Sequence, residues 1–165
     1  MKVALVMGSE SDFPVVERGL KILKEFGVET VVRVISAHRT PDQAAAFGKK
    51  AADEGIGIII AAAGKAAHLG GVLAAVTVVP VIGLPIKSST LDGLDSLLST
   101  VQMPKGIPVA TVAIDGAENA ALLAIEILAL QDDQLKAKLI EYRAAMARAV
   151  EESNVRLQKH LQEVL

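Results

Sequence analysis

The chain has 165 residues, 52% apolar and only 2% aromatic, so one domain with a core of Ala, Val, Ile and Leu is expected. A formal net charge of −2 excludes a general attraction to polyanions, so no nucleic-acid partner is predicted. The absence of cysteine excludes disulfides, thiolate nucleophiles and cysteine-bound zinc, and it is compatible with the reducing cytoplasm, which is the expected location.

Apolar runs alternate with helical patterns along residues 1–130. The runs predict strands at 2–7, 28–35, 57–62, 81–84 and 109–114. Helical spacing predicts helices at 13–26, 41–54, from 68 onward, 91–100 and 117–130. The alternation predicts a three-layer α/β fold with helices on both faces of a parallel sheet. Glu29, Thr30 and Arg33 interrupt the second run, as in an edge strand, which favours the flavodoxin-like strand order 2-1-3-4-5.

One stretch, residues 66–86, has no Lys, Arg, Asp or Glu and is long enough to span a bilayer. It is nevertheless interrupted by His68, by two adjacent glycines, and by Pro80 and Pro85. This pattern favours a helix, a turn and a buried strand. No membrane partner is therefore predicted.

Residues 131–165 predict a long, charged C-terminal helix within the same domain as the core at 1–130. Its large apolar residues recur mostly every three or four positions: Leu135, Leu139, Tyr142, Met146, Val150, Leu157 and Leu161. A helix of about 30 residues runs roughly 45 Å, which is more than a small domain needs. The helix either folds back on its own domain or packs as an arm on a neighbouring subunit, and its length favours the arm.

The loops after the first three strands carry the candidate site, because ligands of open α/β sheets bind beyond the carboxyl ends of the strands. The first loop contains Gly8, Ser9, Ser11 and Asp12, just before a helix with Pro14 in its first turn. Hydroxyls and free amides at a helix start predict an anion site. Ser11 or Asp12 alone is equally well explained as a helix N-cap.

The second loop, residues 36–42, combines helix capping with residues that capping does not explain. A capping box accounts for Thr40, Pro41 and Gln43. It does not account for Ser36, His38 and Arg39. A fixed cation can bind phosphate there, and an imidazole can carry protons near neutral pH.

The third loop, residues 61–71, is nearly free of large side chains, so its backbone is expected to contact a flat ligand. His68 is the one imidazole in this loop, a side-chain type that can transfer protons, and its alternative role is a helix-start residue bonded to backbone. A Walker A motif, a G-x-G-x-x-G motif and a G-x-S-x-G elbow are all absent. No catalytic metal is predicted, since three scattered histidines do not suit one. The missing G-x-G-x-x-G motif also argues against a bound dinucleotide.

Together the loops resemble the PurE family. The resemblance spans residues 2–130 and rests on five segments: 7–12, 36–42, 66–69, 95–104 and 119–123. It implies a flavodoxin-like fold, a homo-octamer with active sites at subunit interfaces, and no metal or organic cofactor. It also implies a mutase of purine synthesis, which moves a carboxylate from the exocyclic nitrogen to C4 of an aminoimidazole ribonucleotide. The alternatives are an enzyme that carboxylates aminoimidazole ribonucleotide directly with CO₂, and a non-catalytic module that binds phosphoribosyl ligands.

The resemblance also assigns roles to residues. It makes His38 the general acid and base and Asp12 the partner of the ribose hydroxyls. It places the phosphate on Ser9, Ser36 and Arg39. The pocket that keeps the carboxylate dry would be lined by Gly64, Ala66, His68 and Leu69. The remaining substrate-binding candidates are Gly8, Ser11, Ala37 and Lys65.

Two positions depart from the glycine-rich run expected for this family, Gly-Gly-Ala-Ala-His-Leu-Pro-Gly. Lys65 stands where the second glycine is expected, and Gly70 stands in place of the proline. Lys65 puts a cation beside the carboxylate pocket, where it either faces solvent or assists an anionic substrate. Gly70 leaves the loop less stiff than proline would.

Overall fold

The computed structural model describes residues 1–165, which form two compact units, Met1–Leu128 and Ala129–Leu165. The strands of the first unit are β1 Lys2–Met7, β2 Thr30–Val34, β3 Ile56–Gly64, β4 Val81–Ile86 and β5 Ala110–Thr111. Its helices are α1 Phe13–Phe26, α2 Pro41–Lys50, α3 Leu69–Ala74, α4 Leu94–Val101 and α5 Ala117–Leu128, and two short 3-10 helices cover Glu10–Asp12 and Leu91–Gly93. The second unit contains α6, Asp133–Val164.

The five strands form one parallel sheet in the order β2-β1-β3-β4-β5, which confirms the predicted topology. β2 lies at an edge and is half-buried to exposed, as its charged residues predicted. β1 and β4 are almost entirely buried. Because all strands run the same way, the loops after β1, β2, β3 and β4 meet at one edge of the sheet.

The core consists almost entirely of aliphatic residues, as the composition predicted, and Phe26 is its only buried aromatic residue. On one face of the sheet, Ala4 and Ile59 belong to a cluster with Ala44 of α2 and Leu73 of α3. On the other face of the sheet, α1 packs against α5. Strand β1 contacts α1 and strand β3 contacts α5, and the alternate residues of these strands that point to this face are buried.

The close packing of α1 on α5 depends on a glycine. A Cβ atom at Gly19 would lie only 2.7 Å from the carbonyl oxygen of Ala117. A side chain there would therefore push α5 away from α1. Gly27, at φ 76°, ends α1 in the left-handed conformation that glycine adopts without strain.

Several predicted boundaries differ from the structure. β5 was predicted at 109–114 but spans only Ala110–Thr111, because Pro85 of the neighbouring β4 has no N–H to continue the ladder. The helix predicted at 91–100 is broken by Asp92 (φ 52°) and Gly93 (φ 96°), so α4 begins at Leu94. The helix predicted to end near residue 54 ends at Lys50 and is followed by turns.

The stretch 66–86 contains α3, a turn and β4, as predicted from its glycines and prolines. No helix in the structure combines the length and the apolar character needed to cross a bilayer.

The α6 helix begins where the sequence predicted, with Asp132 as its N-cap. The Asp132 carboxylate accepts hydrogen bonds from the backbone N–H groups of Gln134 and Leu135. At 32 residues, α6 is about 48 Å long. Leu135 is buried, but most of the predicted apolar stripe is exposed on the single chain: Met146 55%, Val150 71%, Leu157 54% and Leu161 36%.

Candidate active site

A cleft of about 640 Å³ opens at the carboxyl edge of the sheet, beyond β1 to β4. This is a typical volume for a small-molecule site. All the residues predicted for the site line it: Gly8, Ser9, Ser11, Asp12, Ser36, Ala37, His38, Arg39, Gly64, Lys65, Ala66, His68 and Leu69. The fold therefore brings the three predicted loops to one place.

The cleft also contains residues that the sequence analysis missed: Ala63, Ile86, Lys87, Ser88 and Ser89. Most of them follow β4, which is the neighbour of β3 in the sheet. The rule that ligands bind beyond the carboxyl ends of parallel strands applies to this loop as well, so the sequence did hold a signal for it.

The loop after β1 is organised by the hydroxyl of Ser9, which caps the 3-10 helix Glu10–Asp12. Ser9 Oγ accepts hydrogen bonds from Ser11 N at 3.3 Å and from Ser11 Oγ at 2.9 Å. Asp12 stands at the N-cap position of α1, but its side chain makes no capping hydrogen bond. The capping alternative for Ser11 and Asp12 therefore does not describe how these side chains interact.

Asp12 is one of few buried polar residues, with 9% of its surface exposed. Burial raises the pKa of its carboxyl above the ordinary value of 3.8, because the charged form loses water. Hydrogen bonds from the Ser9 backbone and the Ser11 side chain oppose this shift. The pKa is raised because desolvation outweighs both hydrogen bonds.

Arg39 joins the second loop to the first. Its Nη2 donates to the carbonyl oxygen of Gly8 at 3.2 Å, and its Nε donates to Ser36 Oγ at 3.3 Å. The backbone N–H of Arg39 also donates to Ser36 Oγ at 3.2 Å. A guanidinium has five N–H donors, so the remaining ones stay available to an anion in the cleft.

The predicted capping box at α2 is wrong. Thr40 is the N-cap residue, but its side chain makes no capping hydrogen bond. Its hydroxyl instead donates to Ser36 O at 3.0 Å and accepts from Ser36 N at 3.1 Å. The backbone N–H of Thr40 also donates to Ser36 O, so it is not left for Gln43. Thr40 thus shapes the loop that holds Ser36, His38 and Arg39.

The third loop is held by α4. Ser99 Oγ accepts a hydrogen bond from Ala67 N at 3.0 Å and lies 3.1 Å from the Lys65 carbonyl oxygen. It also lies 2.6 Å from the Asp95 carbonyl oxygen, so its single hydrogen serves one of these carbonyls at a time. Thr100 Oγ1 lies 3.4 Å from the Ala67 carbonyl oxygen. Thr100 Oγ1 lies closer, at 2.7 Å, to the Ser96 carbonyl oxygen of its own helix, so its hydrogen is directed there. The hydrogen bond from Ala67 N to Ser99 Oγ therefore holds the third loop to α4.

Two histidines from different loops meet in the cleft. Nε2 of His38 lies 2.8 Å from Nδ1 of His68, with the ring centroids 4.9 Å apart and the ring planes at 80°. Such a hydrogen bond needs a proton on one of the two nitrogens and a lone pair on the other. His68 stands at the N-cap position of α3 but makes no side-chain capping bond there. The His68 ring therefore bonds to the side chain of His38, whereas the alternative role as a helix-start residue predicted a bond to the backbone.

No group of three or more His, Asp or Glu side chains is arranged to hold a metal ion.

Comparison with known proteins identifies the family. Residues 2–149 match the family model described as AIR carboxylase. The chain is 57% identical over 157 residues to an N5-carboxyaminoimidazole ribonucleotide mutase of Pyrococcus horikoshii, covering 95% of this chain and 89% of that protein. It is 46% identical over 158 residues to a chloroplastic phosphoribosylaminoimidazole carboxylase of Vigna aconitifolia, covering 96% of this chain but 28% of that protein.

A solved structure agrees with these sequence relatives. The crystal structure of Treponema denticola PurE superimposes with a TM-score of 0.85 at 30% sequence identity, covering 94% of this chain and 97% of that one. The family match spans most of the chain and includes the three loops that line the cleft. The chain belongs to the AIR carboxylase family, which includes PurE.

Proposed function

We propose that the chain is an N5-carboxyaminoimidazole ribonucleotide mutase, an isomerase of de novo purine synthesis. It moves a carboxylate from the exocyclic N5 to ring carbon C4 of the ribonucleotide. The observation that carries this proposal is the pair of contacting histidines, His38 and His68, in a cleft that also holds Arg39. The cleft thus combines a group that can transfer protons with a cation that can bind phosphate.

The phosphate binds at the end of the cleft formed by the first two loops. Arg39 is pre-positioned by Ser36 Oγ and the Gly8 carbonyl, so little side-chain entropy is lost when it binds an oxyanion. The hydroxyls of Ser9 and Ser36 supply further hydrogen bonds. Ser11 and Gly8 complete this end, and the carboxylate of Asp12 accepts hydrogen bonds from the ribose hydroxyls.

The reaction exchanges one proton between the substrate and His38. The N5–carboxylate bond breaks, CO₂ is released into the pocket, and N5 takes a proton from His38. Ring carbon C4, made electron-rich by the amino group, then attacks the trapped CO₂ and forms the new C–C bond. His38 removes the C4 proton and returns to its initial state. Bonds and protons balance, as an isomerisation requires.

His68 acts on this exchange through the hydrogen bond to His38. Its Nδ1 holds the His38 ring and determines which nitrogen of that ring carries the proton. Near His68, the small residues Gly64 and Ala66 let the aminoimidazole ring of the substrate lie close to the backbone. Leu69 adds an apolar side chain to this part of the pocket. Such a lining excludes water, which would otherwise carry the CO₂ away.

The assembly is part of the same proposal. We infer a cytoplasmic homo-octamer in which α6 packs on a neighbouring subunit. The exposed apolar side chains along α6, such as Val150 and Leu157, support this arrangement, because a row of apolar residues on a helix is normally covered.

One alternative is a carboxylase that adds CO₂ directly to aminoimidazole ribonucleotide. The relative from Vigna aconitifolia carries a carboxylase name, but the match covers only 28% of that protein. The carboxylase name therefore describes a much longer chain. It supports the carboxylase alternative less strongly than the name of the Pyrococcus horikoshii relative, of which 89% is covered, supports the mutase.

Isotope labelling separates the possibilities. The chain is incubated with N5-carboxyaminoimidazole ribonucleotide, or with aminoimidazole ribonucleotide, in the presence and absence of ¹³C-bicarbonate. A mutase converts the first substrate without bicarbonate and leaves the product unlabelled. A carboxylase requires bicarbonate, acts on the second substrate and labels the product. A binding module binds the ribonucleotides and forms no product, which would refute catalysis.

A further inference from the structure

Lys65 adopts a backbone conformation that is costly for a lysine. Its φ is 56°, in the left-handed region, where a residue with a Cβ pays a steric cost that glycine avoids. The loop backbone around it is held to α4 by the hydrogen bond from Ala67 N to Ser99 Oγ. Strained residues of this kind cluster at active sites and ligand-binding segments, where the surrounding structure maintains the strained conformation.

The Lys65 side chain lines the cleft and is exposed to it. The other cations of the cleft already have partners. Arg39 is bonded to Ser36 and Gly8, and the Lys87 ammonium lies 3.2 Å from an Asp92 carboxylate oxygen. Lys65 forms no ion pair with an acidic side chain. Its ammonium is therefore available to a second anionic group of a ligand, in addition to the phosphate assigned to Arg39.

The position of Lys65 suits the second anionic group of an elongated ligand. Arg39 follows β2 and Lys65 follows β3, and β1 lies between these two strands. Adjacent strands are about 4.8 Å apart, so the two loops start roughly 10 Å from each other. A ligand with phosphate at one end and carboxylate at the other matches this spacing of charges. The cleft thus has one cation for each anionic end.

We propose that Lys65 is a specificity-determining residue whose ammonium binds the carboxylate of the carboxylated ribonucleotide. This inference rests on the proposed function, because it assumes the same ligand and the same orientation. It goes further by assigning the choice between carboxylated and decarboxylated nucleotides to a single side chain. Lys65 holds the carboxylated forms and leaves the affinity for aminoimidazole ribonucleotide unaffected.

The test compares two ligands that differ by one carboxylate. Binding of the C4-carboxylated ribonucleotide and of aminoimidazole ribonucleotide is measured by calorimetric titration. All chains carry His38→Asn, so that the ligand is not turned over. Lys65→Met and Lys65→Gly are each expected to weaken binding of the carboxylated ligand about tenfold and that of the other less than about twofold. Lys65→Arg keeps the charge and is expected to retain most of the preference.

Lys87→Met is the matched control, because Lys87 also lines the cleft but pairs with Asp92. It is expected to leave the preference unchanged. Lys65→Gly should also raise the melting temperature above that of Lys65→Met, since glycine relieves the positive φ. This comparison separates the charge of Lys65 from its strain.

The outcomes distinguish this inference from the proposed function. If the chain with Lys65 binds neither ribonucleotide, the proposed function fails and the inference fails with it. If the chain with Lys65 binds both ribonucleotides, and Lys65→Met and Lys65→Gly weaken binding of both equally or of neither, only the inference about Lys65 is overturned. If Lys87→Met alone removes the preference, the carboxylate belongs to Lys87 and the assignment to Lys65 is wrong.

Discussion

Nε2 of His38 and Nδ1 of His68 lie 2.8 Å apart, although they are 30 positions apart in the chain. The contact joins the loop after β2 to the loop after β3, across the end of β1. A hydrogen bond between two imidazoles needs a proton on one nitrogen and a lone pair on the other, so the tautomer of one ring constrains that of the other. The two residues are therefore expected to act as one unit.

Substitution of His38 tests this unit. His38→Asn should lower turnover by at least about a hundredfold, the usual effect of losing a general acid and base, while ribonucleotide binding stays nearly intact. His68→Ala should lower turnover less. The double variant should be no slower than His38→Asn alone, because residues that act together have non-additive effects. Steady-state kinetics and calorimetric binding provide the measurements.

His160, exposed on α6, provides the control, and His160→Ala should match the parent chain. Turnover of His38→Asn comparable to that of the parent would remove His38 from the mechanism. Additive effects of the two substitutions would show that the histidines work independently.

Substitution of Arg39 tests the phosphate site. Arg39→Ala should weaken binding of the ribonucleotide at least about tenfold, because a charge-assisted contact to phosphate is lost. Binding of the corresponding nucleoside, which lacks the phosphate, should change little. Arg33→Ala is the control, since Arg33 is exposed on β2, ahead of the loop that carries Arg39. The opposite pattern, with nucleotide affinity kept and nucleoside affinity reduced, would show that the assignment is wrong.

Substitution of Asp12 links stability to function. Burial raises the pKa of the Asp12 carboxyl in the folded chain above the ordinary value of 3.8, which applies to the unfolded chain. Between the unfolded pKa and the higher folded pKa, the folded chain therefore binds more protons than the unfolded chain. Stability contributed by this group therefore decreases as the pH rises through that window. Asp12→Asn removes the cost of a buried charge, so it should melt at a higher temperature than the parent at neutral pH. The advantage should shrink below pH 3.8, where Asp12 is protonated in both states.

The same variant should bind the ribonucleotide about tenfold more weakly, since the asparagine side chain has one acceptor oxygen where the carboxylate has two. Melting curves across the pH range and binding titrations check both effects. Asp53→Asn, at an exposed position, is the control. An unchanged melting temperature for Asp12→Asn at neutral pH would contradict a stability cost at Asp12.

Truncation tests the role of α6. Removing everything after Leu130 deletes an apolar stripe whose residues contribute roughly 1.5 to 3 kcal/mol each when fully buried. If α6 packs on a neighbouring subunit, truncation should first convert octamers to smaller species, and activity should fall with them. If α6 packs on its own domain, the chain should lose thermal stability while folded protein keeps its oligomeric mass. Size-exclusion chromatography with light scattering distinguishes these outcomes. A truncated octamer that is active and equally stable would contradict both.

The amino-acid sequence by itself determined the fold and the location of the cleft. Alternating apolar runs and helical patterns specify parallel strands, because a strand buried on both faces must be apolar throughout. The polar residues of β2 marked it as an edge strand. Once the strand order was known, the convergence of the loops at one edge followed from the parallel arrangement, which is why Ser9, His38 and His68 could be grouped in advance.

Only the tertiary structure decided which partner each polar group selects. Thr40 could cap α2 or bind Ser36, and these local hydrogen bonds differ little in energy, so the surrounding loop made the choice. Likewise, the contact of His38 with His68 and the support of the Lys65 loop by Ser99 join residues at least 30 positions apart. Such contacts depend on where the fold places distant backbone segments, and local sequence patterns carry no information about those distances.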